Sequence, residues 1–487
     1  MDISTGPTPK MKIETIFLIF SVFFGVLTAI IQPVFSAPDE YVHFKHAYSI
    51  FYKNTDEVFN EIDSQIALLP NQPTQKEETA ARESGLAAPI PESSLQRSYQ
   101  NGQVLNKVFI ETISNKKEMT LKLSFKDIKW LPQALGIMVG EIIHPSIGII
   151  VLFGRLFNLS VYITAIYFSI KKAKLGGRIM AAVALLPMSI QQASSLSYDV
   201  LYYVAIFVSF SLITNLWKRE TKLDLKWLLY LLLTCVLLFI PKHSVLTLGL
   251  FFITLPTALF GDNIFTKKID MFWKLCSKYK NCTFIVGILL FLMYMVYEFR
   301  FYGGAFRGLQ VLFNTFFRPD LYTNLDDVLV SGIIGNFGQM TYRFPAWLVV
   351  LNFIFLFILL LSEPEEKINT RVAVSGVLIY LSVLIMTAVI MFQSWTKNTL
   401  NLPNALVSLG NQGRYYTPFL IVLVPLGIKM RNYLSINAKE TTIRAMFNYL
   451  VIFNLTYFLV LTILYYYTSD LGANFLPNIS HWFRGLF

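Results

Sequence analysis

The sequence predicts an all-α, polytopic membrane protein, on three observations. Hydrophobic residues make up 54% of its 487 residues and charged residues only 15%, where a soluble chain carries about a quarter charged. Mean hydropathy is +0.53. Apolar runs of roughly 18–25 residues recur from end to end, each long enough to cross a hydrocarbon core of about 30 Å. They fall at 15–35, 147–170, 178–195, 199–217, 225–241, 243–260, 282–299, 345–362, 371–393, 415–429 and 443–467, about eleven spans.

Residues 1–14 are the cytoplasmic N-terminus and 15–35 the first span. Val34 and Ser36 stand like a signal cleavage site, but the run is longer than a usual signal core and Pro38 follows closely, which favours an uncleaved anchor. A polar stretch, 36–142, comes next as a long first extracytoplasmic loop. Within it, 37–53 and 104–143 are apolar enough for interfacial helices, whereas 71–103, containing PTQKEETAARESG, has the composition of a mobile segment. The transmembrane core, 143–467, is interrupted by outer loops near 300–344 (FYGGAFRGLQ and GNFGQMTYRFP) and 394–414 (SWTKNTLNLPNALVSLGNQGR), and 468–487 form an extracytoplasmic tail.

The net charge of +11 does not point to nucleic acid. Its basic clusters occupy connections assigned to the cytoplasm: Lys171, Lys172, Lys174 and Arg178; Lys267, Lys268, Lys274, Lys278 and Lys280; Lys429, Arg431, Lys439 and Arg444. That bias sets orientation, and a basic face toward anionic lipid accounts for the charge. Loop 300–344, with Arg300, Arg307, Arg318 and Arg343, is an outer exception, and long loops follow the rule poorly. Cys235, Cys276 and Cys282 lack metal-like spacing and outer partners, which predicts no disulfides.

Residues 36–48, SAPDEYVHFKHAY, set two adjacent carboxylates and two histidines where the chain leaves the first run. Ionisable groups at a membrane boundary lose hydration, and persist where they pair, bind or react. In a helix starting near Ser36–Pro38, Asp39, His43 and His46 share one face, with Glu40 about a quarter turn away. Such a set could hold a general base against a hydroxyl or coordinate a divalent cation. On spacing alone the same residues read first as a helix start with a capping acid, favoured by the helix dipole.

Other polar residues stand in or beside apolar runs: Arg155 and Asn158 in FGRLFNLSVY, Gln191, Gln192 and Asp199 in IQQASSLSYDVLYY, Lys242 and His243 in PKH, and Arg414 in NQGRYYTP. Singly, each is explained by an interhelical hydrogen bond or by snorkelling. Together, the topology puts Asp39, Asp199, Lys242 and Arg414 near one outer boundary. A carboxylate among cations there suits an anionic lipid headgroup and a hydroxyl nucleophile, with the cations stabilising a phosphate leaving group. GxGxxG after a strand, P-loop, kinase, GxSxG and HExxH patterns are all missing. A nucleotide site therefore has no support, and the activated substrate of an outward-facing site would arrive attached to lipid.

In order along the chain, PVFSAPDEYVHFKHAY (33–48), LPQALG (131–136), GRLFNL (154–159), SLSYD (195–199), GNFGQMTYRFP (335–345) and NQGRYYTP (411–418) resemble a family of bacterial polytopic proteins known as domain of unknown function twenty-one forty-two. The resemblance covers about residues 15–430, and that family is similar to GT-C glycosyltransferases, whose relatives include protein O-mannosyltransferases and arabinosyltransferases. It implies a GT-C fold, a catalytic acid in the first outer loop, a polyprenyl-phosphate sugar donor and inversion at the anomeric carbon. On this chain it implies Asp39 as general base, Glu40 orienting or assisting it, and His43 supporting the pair. The resemblance makes Arg414 the first candidate for the donor phosphate, with Lys242 and Arg155 behind it, and Gln412 and Tyr415 candidates for lining the sugar pocket. One departure is local: family members often read LD-T-x-L-P before the proline at 345, whereas Met340, Thr341 and Tyr342 precede Arg343 here.

The expected function is thus transfer of a sugar from an undecaprenyl-phosphate-like carrier to a cell-surface glycan, teichoic acid-like polymer or lipid-linked saccharide on the outer leaflet. A transporter or flippase of lipid-linked glycans would share the polytopic, basic character, without needing a long loop headed by two carboxylates. A non-catalytic envelope assembly factor would tolerate Asp39→Asn.

Overall fold

Proline decides which apolar runs become straight helices. The computed structural model describes residues 11–66, 108–114, 118–318, 321, 328–434, 436 and 438–467; the segment expected to be mobile and the C-terminal tail both lie wholly outside them. In chain order the principal helices are α1 (Ile13–Ile31), α2 (Glu40–Phe51), α3 (Asp56–Ile66), α4 (Leu131–Ile143), α5 (Ile147–Lys172), α6 (Gly177–Ala184), α7 (Pro187–Ala193), α8 (Asp199–Trp217), α9 (Leu225–Phe239), α10 (Ile264–Lys278), α11 (Lys280–Phe299), α12 (Gly304–Phe317), α13 (Ala346–Leu361), α14 (Thr370–Met391), α15 (Val424–Met430) and α16 (Glu440–Tyr467). Two-residue antiparallel ladders join Tyr52–Lys53 to Glu118–Met119 and Asn336–Phe337 to Tyr342–Arg343.

Among the described residues, six helices are long and apolar enough to cross a membrane: α1, α5, α8, α11, the continuous 370–399 segment and α16. None contains proline. Shorter apolar helical segments occupy 225–239, 243–252, 346–361 and 417–430. Of the roughly eleven apolar runs, six are thus long helices among the described residues, and others are shorter or broken segments. The 178–195 run is α6 and α7, broken where Leu186 turns extended before Pro187, because proline lacks an N–H and excludes helical backbone from the residue before it. The whole of 179–193 is buried, so it runs inside the protein and not as a lipid-facing span. Pro256 similarly divides 243–260 into short turns, while Pro418 opens the 417–423 turn and Pro425 opens α15.

The helices have two chemically distinct ends. At one, Tyr467 Oη donates to the carbonyl of Ile31 at 2.5 Å, and Gln339 Nε2 donates to the carbonyl of Phe35 at 3.0 Å. Here α2 and α4 share a small core with the first turns of α5, around Phe44, Tyr48, Trp130, Ile137 and Ile150. Gly136 allows this approach, since a Cβ there would come 2.3 Å from the Phe153 carbonyl oxygen on α5. The opposite end is basic: Arg178 pairs with Glu440 at 2.7 Å, Lys218 with Glu366, and Arg431 donates to the Glu363 carbonyl.

Inside the core, α13 and α16 are joined by a reciprocal amide pair. Asn352 Nδ2 donates to Asn454 Oδ1 at 3.2 Å and Asn454 Nδ2 donates to Asn352 Oδ1 at 2.6 Å. Both residues are buried, and such interhelical bonds in membrane proteins are worth about 1 kcal/mol. Replacing Asn352 or Asn454 singly by Leu is expected to lower stability in detergent by about that amount, and the double Leu variant to recover much of it. Strictly additive losses in denaturant titrations would show that the amides are not coupled.

Candidate functional site

A buried ion pair organises the end where α1 stops and α8 starts. Arg155 Nε and Nη2 each donate to Glu40 at 2.8 Å. Its remaining N–H groups donate to the carbonyls of Ala29 at 3.1 Å, Gln32 at 2.6 Å and Pro33 at 2.7 Å, which uses all five guanidinium donors. Glu40 also accepts from the backbone N–H of Leu196 at 3.1 Å and of Ala37 at 3.3 Å. Desolvation of a buried pair is offset only when its other hydrogen-bonding sites are filled, and here they are. Two sequence expectations are revised by this. Arg155 has no N–H left for a phosphate, and Glu40 is a structural anchor turned away from solvent.

The family motifs meet on the 195–199 turn. Gln133 of LPQALG donates to the carbonyls of Leu196 and Ser197 at 3.3 and 3.0 Å. Asn158 of GRLFNL donates to those of Ser195 and Ser197 at 2.7 and 2.9 Å. With Glu40 holding Leu196, the turn is fixed from three sides, and Asp199 is delivered at its end.

Helix α2 starts at Glu40, and Asp39 stands just outside it at φ 58° with no side-chain capping bond. The capping alternative is thereby set aside. A left-handed non-glycine residue is strained, and such residues cluster at functional sites. The Asp39 carboxylate instead accepts from Arg414 Nη2 at 2.7 Å. Arg414 Nη1 donates to Gln192 Oε1 at 3.0 Å and to the Pro38 carbonyl at 3.4 Å, and Nε lies 3.8 Å from Asp199 Oδ2. On its other oxygen, Asp199 pairs with Lys242 Nζ at 2.6 Å. Arg414 owes its position to Gly413, where a Cβ would lie 2.1 Å from the Gly332 carbonyl carbon.

Asp39, Asp199, Lys242 and Arg414 thus form one cluster whose formal charges cancel. Tyr415 floors it, with Lys242 Nζ 3.8 Å from its ring centroid and its carbonyl accepting from Tyr202 Oη at 2.8 Å. Buried polar atoms of Gln192 (Nε2), Asn411 (Nδ2), Gln412 (Oε1) and Arg414 (Nε) have no hydrogen-bond partner, the condition under which water or a ligand completes a site. His43 sits beside the cluster, accepting from Trp130 Nε1 at 3.3 Å through Nδ1 and meeting the Tyr198 ring edge-on at 4.8 Å. His46 stacks on Trp130 instead. Among the described residues no three His, Cys, Asp or Glu side chains are grouped to hold a metal ion; the proposed Asp39, Glu40 and His43 set is divided because the two acids turn to different arginines.

A family model described as predicted membrane protein (DUF2142) matches residues 20–423. The chain belongs to this family. Comparison with curated proteins and with solved structures returns no match.

In this DUF2142 chain, sequence reading missed two partners of the cluster. Gln192 stood out only as a polar residue in an apolar run, yet it holds Arg414. Lys129 gave no signal beyond its charge, yet its Nζ lies 4.4 Å from the ring centroids of both Trp130 and Tyr198, with no ion-pair partner among the described residues. Burial pushes the Lys129 ammonium below its ordinary pKa, while Asp199 and Asp127 pull it back. Burial likewise lowers Lys242, opposed by Asp199, and raises the Tyr415 phenol to about 12.

Burial also lowers His43 from 6.5 to about 4, against the attraction of Asp199 and Asp39. It is neutral at ordinary pH. Unfolding therefore takes up a proton between those two values, so stability falls as pH drops from 6.5 toward 4, by about 3 kcal/mol. His43→Asn is expected to flatten this acid limb in thermal unfolding curves of the purified protein. An unchanged slope would assign the loss to other groups. Separately, Glu40→Gln, which leaves Arg155 buried without its counter-charge, should cost about 3–5 kcal/mol, read in the same assay.

Proposed function

We propose that this protein is a GT-C-type, inverting glycosyltransferase, moving a sugar from a polyprenyl-phosphate donor to an envelope glycan, teichoic acid-like polymer or lipid-linked acceptor. The observation that carries the reading is the Asp39–Arg414 pair. Its carboxylate side chain is 52% exposed and its guanidinium 4% exposed, 2.7 Å apart, at the head of a helical membrane core. A proton acceptor that solvent can reach, backed by a fixed buried cation, is what a hydroxyl acceptor and a phosphate leaving group require. The basic residues gathered at the opposite end support an extracytoplasmic setting for the cluster, by the positive-inside bias.

The chemistry follows from how the charges are now paired. The acceptor oxygen attacks the anomeric carbon as the carbon–oxygen bond to the carrier phosphate breaks. The hydroxyl proton goes to Asp39, and the phosphate leaves with the bonding electrons. Because Arg414 and Lys242 already face carboxylates, an incoming phosphate competes with Asp39 for Arg414 Nη2. As Arg414 turns to the phosphate, Asp39 Oδ2 becomes free for the acceptor hydroxyl. Donor binding and exposure of the base are then one event. Lys129, with no ion-pair partner among the described residues, supplies further positive charge near Tyr198, and Gln412, Asn411 and Tyr415 offer hydroxyl-binding groups. Asp199 keeps Lys242 and Arg414 apart in fixed positions, and neutral His43 supports the acid from below.

Asp39→Asn is expected to lower transfer by about 10²–10⁴-fold, and Arg414→Lys by about 10²–10³-fold, with membrane level and insertion unchanged. The measurement is sugar analysis or NMR of envelope polymers from cells with the gene, without it, and with each variant. Wild-type modification by Asp39→Asn would remove the base assignment.

A further inference from the structure

At the end opposite Asp39, a cavity of about 270 Å³ lies between the last turn of α8, the 253–257 turn, α10 and the start of α14. Its size is just below that of small-molecule pockets, about 300–1,000 Å³, and the proposed transfer makes no use of it. Its walls include Trp217, Trp273, Lys218, Lys367, Arg371 and Asp270, so cations exceed carboxylates. Lys218 is paired with Glu366 outside the cavity, and Asp270 accepts from Thr257 Oγ1 at 3.2 Å. Lys367 and Arg371 have no ion-pair partner among the described residues, and the Arg371 guanidinium lies 5.4 Å from the Trp273 ring centroid.

The aromatic walls are fixed. Trp217 Nε1 donates to Thr254 Oγ1 at 3.1 Å and Trp273 Nε1 to the Ile253 carbonyl at 2.9 Å. Tryptophans at the end of a membrane helix mark the depth of the lipid headgroups. Helix α10 is amphipathic in the matching sense. Ile269, Asp270 and Trp273 line the cavity, while Phe265, Met271, Phe272 and Leu275 are exposed on the rest of the helix. A soluble anion has no use for an apolar ledge beside its binding cations, whereas a lipid phosphate brings acyl chains that need one.

We infer that this cavity binds the phosphate of an anionic membrane lipid. Lys367 and Arg371 take the phosphate oxygens, Trp217 and Trp273 wall the headgroup, and the exposed apolar side of α10 receives the first carbons of the chains. The site is independent of the transfer reaction proposed above, since none of its residues belongs to the Asp39 cluster.

Native mass spectrometry of the full-length protein in detergent tests this, with phosphatidylglycerol, phosphatidylcholine and soluble glycerol 3-phosphate titrated separately. Phosphatidylglycerol is expected to bind about tenfold or more tightly than phosphatidylcholine, and Lys367→Gln with Arg371→Gln to remove that preference. Lys367→Gln alone, in an exposed turn, should weaken phosphatidylglycerol about fivefold; with circular dichroism matching wild type, this keeps the test valid if the double variant fails to fold. Lys171→Gln with Lys439→Gln removes the same charge from the same end outside the cavity and should leave binding within about twofold. Equal binding of the two lipids, or equal loss in both double variants, would reduce the effect to general surface charge and overturn the site. Glycerol 3-phosphate binding as tightly as the lipid would overturn the lipid assignment in favour of a soluble anion.

Discussion

The Glu40–Arg155 pair is the constraint on which the rest depends. It joins the C-terminal turn of α1, the start of α2, the middle of α5 and the 195–199 turn through one guanidinium and one carboxylate. Isolated in hydrocarbon, either charge would cost many kcal/mol. With every donor of Arg155 used, the pair instead acts as a rigid joint, because no partial rearrangement leaves it satisfied. Asp39 adjoins this joint in sequence. Its left-handed backbone is held between a helix that cannot start earlier and a turn that Arg155 grips by three carbonyls, and that is why the carboxylate points at Arg414 and not along α2.

Charge balance in the cluster has a consequence for any anionic ligand. Two carboxylates and two cations, three of them largely buried, form an arrangement stable without ligand, since none is left uncompensated. A site of bare cations at a membrane boundary would hold water, salt or any passing lipid headgroup. Under the proposed transfer an anion would displace Asp39 from Arg414, so occupancy by the wrong anion would carry a penalty that productive binding shares, and only a ligand with further contacts would overcome it. The amide atoms of Gln192, Asn411 and Gln412 that have no hydrogen-bond partner among the described residues are available for such contacts. This is selectivity by competing pairs, in which the alternative partner is built into the protein.

Much of this was legible in the sequence, for definite reasons. Membrane class followed from composition, and the convergence of Asp39, Asp199, Lys242 and Arg414 followed from alternating span direction, because residues flanking helices at the same boundary have few places to go. The roles of Glu40 and Arg155 were not legible. Spacing puts Glu40 near Asp39, but whether a carboxylate faces solvent or another helix depends on where α5 packs, and that is decided by glycine approaches such as Gly136 on Phe153. Gln192 and Lys129 were obscured similarly: an amide in an apolar run and a lysine in a polar loop have ordinary explanations, and only tertiary position separates them from others of their kind. The breaks inside apolar runs, as at Pro187, were not legible, since hydropathy registers burial and not backbone continuity.

Those same prolines account for where the cluster sits. Gln192 and Asp199 follow the break at Pro187, Lys242 follows Pro241, and Arg414 precedes Pro418 and Pro425. Backbone that leaves the helix within a membrane core has unpaired N–H and C=O groups, tolerated only where protein buries them or where they border a cavity. In this protein they are buried between continuous helices. Tyr202 takes the Tyr415 carbonyl, Asn158 and Gln133 take those of 195–197, and Thr417 Oγ1 donates to the Ile333 carbonyl at 2.7 Å. The straight helices α1, α5, α8 and α16 therefore form a frame, and the broken segments are the material it encloses. A continuous helix could present Asp199, Lys242 or Arg414 only along its own face, separated by helix diameters of about 10 Å. Ending the helices short lets turns from three of them bring Lys242 to 2.6 Å and Arg414 to 3.8 Å from the Asp199 carboxylate. Proline in these runs is thus a condition for the cluster to exist, and substituting helix formers there would lengthen the spans while drawing the charges apart.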